Sequence, residues 1–298
     1  MALKLMYITN KAEVAFLAEK YGVDRIWIDL ETAGKAERQK GRDSVKSNHT
    51  IEDIRAIAPF LSAAEMLVRI NPWSEASEKE IDAVIEAGAD MIMLPMWKSA
   101  DQVSRFADAV GGRCKTTLLL ETKEAEACLD EVLQRYREGD LFFDEIHIGL
   151  NALHISYGLT FMFELLTNGT VERICRKIQD AGIPYGFGGI AKIGEGDIPA
   201  EKIILEHYRL RSTRAILSRS FCDHSKVKDI EEIDSLFREN MRKLRAFEEK
   251  AGNAETAELE RNREELEKAV KNIVGKIKEK RIGSNDNTKS DTACKTIR

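Results

Sequence analysis

Two side chains sit where an apolar run ends in a group that can do chemistry. Arg69 lies near the end of Met66–Ile70, and Glu121 closes Thr116–Leu120. Apolar neighbours make an unpaired guanidinium strongly unfavourable, so a planar fork at 69 suits a carboxylate or an enolate oxygen, or else an internal ion pair with another carboxylate. Glu121 reads as a metal ligand, a general base, or the partner of Arg69. Asp29 and Glu31 flank the end of Arg25–Leu30 and are followed by Lys35 and Arg38. The charged run Gly34-Lys-Ala-Glu-Arg-Gln-Lys40 could clamp an anionic substrate or be a solvated loop. His49 either approaches this cluster from the loop or marks a helix start, and His154 reads first as a packed, hydrogen-bonded side chain. Gly186, Gly188, Gly189, Gly194 and Gly196 would allow backbone to approach a phosphate or carboxylate closely, although tight turning explains such glycines equally well. Ser218-Arg219-Ser220 could add donors for the same anion.

The elements that must hold these residues alternate regularly. Strands are predicted over 3–9, 25–30, 66–70, 91–94, 116–120, 146–150, 185–190 and 215–217. Helices are predicted over 12–21, 51–61, 77–87, 99–110, 125–136, 161–182 (as one helix or two) and 199–210, from apolar spacing and from the glycines and prolines that end each segment. Near-continuous apolar strands indicate a parallel sheet buried on both faces. Eight alternations with right-handed crossovers argue for a closed (β/α)8 TIM barrel. The strand exits of such a barrel share one face, where active sites are built. Arg69, Glu121, Asp29 and Glu31 fall on that face, whereas Asp144 and Glu145 begin the sixth strand and belong to the opposite one. The stretch 31–48 is longer than a βα turn needs and is a candidate lid or substrate loop.

Beyond the barrel the composition changes. Residues 230–249 form a charged amphipathic helix with Ile233, Leu236, Met241, Leu244 and Phe247 on its apolar side. A second helix over 254–280 carries Leu259, Leu266 and Ile273, with Val270 and Ile277, as a coiled-coil-like seam. That seam suits packing on its own barrel or on a neighbouring subunit. The organisation expected is a barrel domain over 1–228, C-terminal helices over 229–281, and a polar, disordered tail over 282–298 without periodicity.

Composition excludes several classes. In 298 residues the net charge is −5, with 33% charged residues of both signs intermixed. No basic segment suggests a nucleic-acid partner. No apolar run reaches the ~18 residues of a membrane span, and the amino terminus lacks a signal-peptide core, so a cytoplasmic protein without membrane contact is expected. The five cysteines, at 114, 128, 175, 222 and 294, are scattered without metal-ligand spacing and read as free thiols.

Ile28-Asp-Leu-Glu31, Val68-Arg69, Gly88-Ala-Asp-Met-Ile-Met-Leu-Pro95, Leu119-Leu-Glu121-Thr, Ile148-Gly-Leu-Asn-Ala-Leu153 and Gly186-Phe-Gly-Gly-Ile190, in this order, resemble the hydroxy-oxo-acid aldolase and citrate lyase β-subunit family, a group of phosphoenolpyruvate/pyruvate-domain barrels. The resemblance runs over roughly residues 2–225, in register with the strands. It implies reversible carbon–carbon cleavage of a 2-oxo acid through a pyruvate-like enolate, with Mg2+ or Mn2+ bound. It also implies a homo-oligomer joined through exchanged C-terminal helices. Carried over, Arg69 resembles the arginine that holds the keto acid and its developing charge, Glu121 resembles the first metal carboxylate, and Asn151 to Leu153 resembles the segment that supplies the second. The middle residue of that segment, normally aspartate, is Ala152. The histidine that family aldolases place just after the Asp-x-Glu of strand two is replaced by Thr32. The set expected at the site is therefore Arg69, His49, Asp29 and Glu31 for catalysis, Arg69, Asn151, Gly188, Gly189, Lys35 and Arg38 for substrate, and Glu121 for metal. Two other readings stay open beside a metal-dependent lyase: a catalytically altered barrel that binds or assembles, and metal-free lyase chemistry.

Overall fold

Strand β1 (Lys4–Ile8) pairs in parallel with both β2 (Arg25–Asp29) and β8 (Arg214–Leu217), so the sheet has no edge. Between them run β3 (Glu65–Arg69), β4 (Met91–Leu94), β5 (Lys115–Leu120), β6 (Glu145–Ile148) and β7 (Tyr185–Ile190). The eight form a closed parallel barrel in chain order, as the alternation predicts. The computed structural model describes residues 2–32, 48–218, 221–222 and 229–292, with 281–292 described by backbone alone. The charged loop with Lys35 and Arg38, and Arg219 with Ser220, lie outside the described residues.

The helices on the outside are α1 (Ala12–Lys20), α2 (Ile51–Ile57), α3 (Ser77–Glu86), α4 (Ala100–Val110), α5 (Lys123–Ala127), α6 (Leu129–Glu138), α7 (Leu150–Ser156), α8 (Glu164–Thr167), α9 (Thr170–Asp180) and α10 (Ala200–Arg209). The helix expected as one piece over 125–136 is broken at Cys128, which is at once the C-cap of α5 and the N-cap of α6. The sixth strand ends at Ile148 rather than Leu150, because helix α7 already begins there.

Strand side chains alternate in and out. Ile26, Ile28, Met66, Val68, Ile92, Leu94, Leu118 and Leu120 point outward into the layer shared with the helices. Met6, Trp27, Leu67, Met91, Met93 and Leu119 fill the barrel interior, with Ile8 and Ile216 against them. Beneath this apolar plug lies a buried ionic layer. Arg25 donates to both oxygens of Glu145, at 2.5 and 3.0 Å, and to Glu65 at 2.8 Å, while Arg214 and Lys115 add contacts to Glu145 and Glu65. Glu145 thus occupies the face opposite the strand exits, as expected.

After β8 the chain continues into α11 (Ile230–Gly252) and α12 (Thr256–Thr292). Helix α11 packs between α1 and α10 and fills the place of the eighth barrel helix. It buries Ile233, Phe237, Met241 and Leu244. Helix α12 lies over α10 and α8, with Leu266 and Val270 buried and Ile273 and Ile277 half-buried against the core. The apolar seam read from the sequence therefore faces this chain's own barrel. The backbone stays helical to Thr292, into the stretch that has no periodicity in the sequence.

Candidate active site

The register of β2 and β3 makes Asp29 and Arg69 cross-strand partners, both on the last residue of their strands. The guanidinium meets the carboxylate as a bidentate fork, Nε to Oδ1 and Nη2 to Oδ2, each at 2.8 Å. Its Nη1 lies 3.3 Å from Glu31 Oε2. All three side chains are buried or nearly so, at 13%, 2% and 4% exposure for Arg69, Asp29 and Glu31. Burial alone would lower the Arg69 pKa, but the charges of Asp29, Glu31 and Glu121 outweigh it and hold the guanidinium protonated more firmly than usual. The indole of Trp27, one layer deeper, lies 5.2 Å from the Arg69 Cζ, within cation–π range. Of the five N–H groups of an arginine, Asp29 takes two as hydrogen bonds, and Nη1 forms an ion pair with Glu31, two residues past the end of β2.

Glu121 follows β5 and is buried. Its Oε1 accepts the main-chain N–H of Met96 at 3.2 Å. Met96 holds φ at +53°, a left-handed conformation uncommon for a residue with a side chain. On the other side Gly149 N donates to Leu120 O at 2.9 Å, which sets residue 149 beside residue 121. A Cβ on Gly149 would fall 2.9 Å from Glu121 Cβ and 3.0 Å from Oε2, so only glycine lets the carboxylate lie there. Met96 and Gly149 escape sequence reading, since their roles depend on distances between strands. The Pro95–Met96–Trp97 exit and the Ile148-Gly149 step are the faint signals they leave.

His49 returns from the loop to the site. The Asp29 N–H donates to His49 Nδ1 at 3.0 Å, and the next residue, Thr50, starts α2 with its N–H on Asp53 Oδ2 at 2.7 Å. Both alternatives for this residue are thus realised together, a helix start and a contact with β2. In a neutral ring with Nδ1 accepting, the proton is on Nε2. Thr32 holds Asn71 through N–H to Oδ1 at 3.0 Å, and Asn71 Nδ2 donates to Glu80 at 2.8 Å. His154, within α7, is buried with Nδ1 3.1 Å from Leu150 O, the structural role expected of it.

Asn151 and Ala152 lie in the first turn of α7, Asn151 exposed and Ala152 half-buried. Gly188 adopts φ +50°, and a Cβ there would fall 2.7 Å from Leu150 Cδ1. Close packing of α7 on β7 accounts for this glycine. Gly189 lies at the irregular register between β7 and β8.

The geometry defines a class: a closed barrel with an arginine at its mouth gripped by two carboxylates, and a third, Glu121, at the exit of β5, close enough for its charge to act on that arginine. Residues 5–133, from β1 into α6, match the model of the HpcH/HpaI aldolase/citrate lyase family, so the resemblance is borne out over the stretch that holds the motifs from Ile28 to Thr122. That family is of the carbon–carbon lyase type. Among solved structures the chain is similar to an HpcH/HpaI aldolase from Desulfitobacterium hafniense DCB-2, at 14% identity and TM-score 0.56, over 78% of this chain and 93% of that one. An HpcH/HpaI aldolase/citrate lyase family protein from Burkholderia cenocepacia J2315 gives 12% identity and TM-score 0.54, over 78% and 95%. Citrate synthase SbnG gives 14% identity and TM-score 0.53, over 78% and 94%. At such identities the likeness establishes the fold. Comparison with curated proteins by sequence gives no match.

Members of the family generally use a divalent metal. The donors described here do not fit one. Both oxygens of Asp29 are engaged by Arg69, Ala152 offers no ligand, and Glu121 Oε1 already accepts the Met96 N–H. Among the described residues no group of three His, Cys, Asp or Glu side chains converges on a point that could hold a metal ion. The four described cysteines are free thiols. Among the described residues no helix is long and apolar enough to cross a membrane.

Proposed function

We propose that the chain is a carbon–carbon lyase of the aldolase type, acting on a 2-oxo acid through an enolate held by Arg69. The observation that carries this reading is the Asp29–Arg69 fork, which fixes a buried guanidinium at the strand exits with N–H groups of Nη1 and Nη2 outside the fork. A planar donor pair matches the 2-oxo group and carboxylate of a keto acid. With a 4-hydroxy-2-oxo acid, the hydroxyl proton passes to a carboxylate, with Glu31 and Glu121 the candidates. The C3–C4 bond breaks, its electrons move to the C2 oxygen, and an aldehyde leaves. The enolate so formed carries its charge on the oxygen facing Arg69 and is then protonated at C3. His49, with its proton on Nε2, serves as a hydrogen-bond donor rather than the base. Asn151, Gly188 and Gly189 stay in this proposal as lining for the substrate, and Lys35 and Arg38 as cations that could approach it.

On this reading the chain takes a small-molecule 2-oxo acid, works in the cytoplasm and self-associates through its C-terminal helices. Support for the last is the family resemblance and the length of α12. The test of the function is retro-aldol cleavage of hydroxy-oxo acids and decarboxylation of oxaloacetate, measured for the native chain, Arg69→Ala and Arg69→Lys. Removing one preorganised oxyanion donor typically costs about 10²–10³ in rate, so both variants are expected to lose at least that factor in kcat/KM. Arg69→Lys keeps the charge inside the carboxylate cluster and guards against mere unfolding. Undiminished turnover in a folded Arg69→Lys protein would sink the reading.

A further inference from the structure

We infer that the chemistry of this mouth runs without a resident divalent metal, Arg69 being the cation that receives the developing enolate charge. The inference rests on the lyase reading for its chemistry and on the donor set for its substance. Formally the cluster of Asp29, Glu31, Glu121 and Arg69 is anionic, so a cation would be attracted. Attraction is not coordination, however, because Mg2+ and Mn2+ need oxygen lone pairs directed at one point, with near-octahedral geometry for Mg2+.

The lone pairs are directed elsewhere. The two Asp29 oxygens take the Arg69 fork at 2.8 Å, with Oδ1 also accepting the Glu31 N–H at 3.2 Å. Glu31 Oε2 faces Arg69 Nη1 at 3.3 Å. On the far side Glu121 is braced between the Met96 N–H and the bare Cα of Gly149, and its charge is felt by Arg69. Where the family resemblance puts the second metal carboxylate, in the first turn of α7, this chain has Ala152, and its neighbour Asn151 is exposed. Swinging Asp29 towards a metal would strip a buried guanidinium of its bidentate partner, and breaking a buried pair costs about 3–5 kcal/mol. The mouth is thus organised around an arginine rather than a metal ion.

The experiment uses the full chain, freed of metal with a chelator, and reads Mn2+ binding by the loss of the free-ion paramagnetic signal, with turnover measured in parallel. The native protein is expected to show no saturable Mn2+ binding below about 1 mM, the weak end of the range for oxygen-ligand sites, and to keep its turnover in excess chelator. Ala152→Asp is expected to bind Mn2+ at least about tenfold more tightly, since even outer-sphere partners of a metal are worth that much. An aspartate in the first turn of a helix is itself favourable, and a thermal melt verifies that the variant folds. Saturable Mn2+ binding by the native chain that is lost in Glu121→Gln, with turnover abolished by chelation, would overturn the inference and leave the lyase reading standing. If no hydroxy-oxo acid is turned over in any state while Mn2+ still fails to bind, the lyase reading falls and the metal-free mouth remains.

Discussion

At the scale of single residues, the site is an arginine whose direction is fixed by one carboxylate. Asp29→Asn removes the charge but keeps one acceptor, so the guanidinium stays near and loses its fork. Hydrogen bonds to charged groups contribute about 1.5–3 kcal/mol, and kcat/KM is expected to fall about ten- to a hundredfold, read by steady-state kinetics with fold checked by circular dichroism. An unchanged kcat/KM would mean that the fork does not position Arg69 for catalysis. Gly149→Ala acts across the mouth. Its Cβ would lie 2.9 Å from Glu121 Cβ, so Glu121 must shift. Overpacking typically costs about 1–3 kcal/mol, and the expected result is a modest fall in Tm with a large fall in kcat. Arg69, Glu121, Asp29 and Glu31 were legible in the sequence because each ends an apolar run, where a charged side chain needs a reason. The Asp29–Arg69 pair was legible only as one of two alternatives, since strand register decides it. Met96 and Gly149 were not legible, as a positive φ and an interstrand distance leave no mark on composition.

At the scale of elements, all eight strands fall within one or two residues of their predicted limits, because a buried parallel strand is a continuous apolar run bounded by turn residues. Helix ends were less legible. The break at Cys128 has no glycine or proline to announce it, and α7 begins directly at the β6 exit. The strands also carry the acid sensitivity of the fold. Glu145 is fully buried; burial pushes its pKa up, but Arg25 and Arg214 outweigh that and hold it below the usual carboxylate range. This contribution is complete above the unfolded-state pKa near 4.3 and is lost as pH falls through the lower folded value. Glu145→Gln leaves two buried cations underpaired and is expected to cost about 3–5 kcal/mol, seen as a large drop in Tm at neutral pH. Two buried histidines act in a higher window. Burial lowers His147 to about 4 and His207 to about 3, so the unfolded chain takes up protons near pH 6.5 that the folded one refuses. Stability is full above that pH and declines as pH falls from about 6.5 towards 4. Melting temperatures at pH 7 and pH 5 should show the decline. His207 stacks on Phe187 with centroids 3.9 Å apart, so His207→Phe keeps the aromatic contact and is expected to make the decline shallower. A decline of unchanged size in that variant would assign the effect to other groups.

At the scale of the whole molecule, the two C-terminal helices have different duties. Helix α11 clasps the beginning of the chain: Glu248 accepts the Leu3 N–H at 2.8 Å, and Arg245 donates to Leu3 O at 2.9 Å. It also holds the segment after β8, where Asn240 donates to Phe221 O at 2.7 Å. Without α11 the ring between α1 and α10 is open and Tyr7 of β1 loses its edge-on contact with Phe237. Helix α12 is attached from outside, through Asn262 to Lys202 O at 3.0 Å and through the buried Leu266 and Val270. Burying a side chain of that kind is worth about 1.5–3 kcal/mol, so α12 stabilises the barrel without closing it. A chain ending at Asn253 is therefore expected to fold with a clearly lower Tm, whereas one ending at Asp229 is expected not to give a cooperative melt. Self-association is tested on the same pair of proteins. Where α12 faces its own α10 and α8, a subunit contact needs either an exchange of that helix or its stretch beyond Ile277, and both are removed by ending at Asn253. On the proposed assembly, light scattering of that shortened chain gives a smaller particle. An unchanged subunit count with a lowered Tm would confine α12 to its own barrel and move any subunit contact to another face.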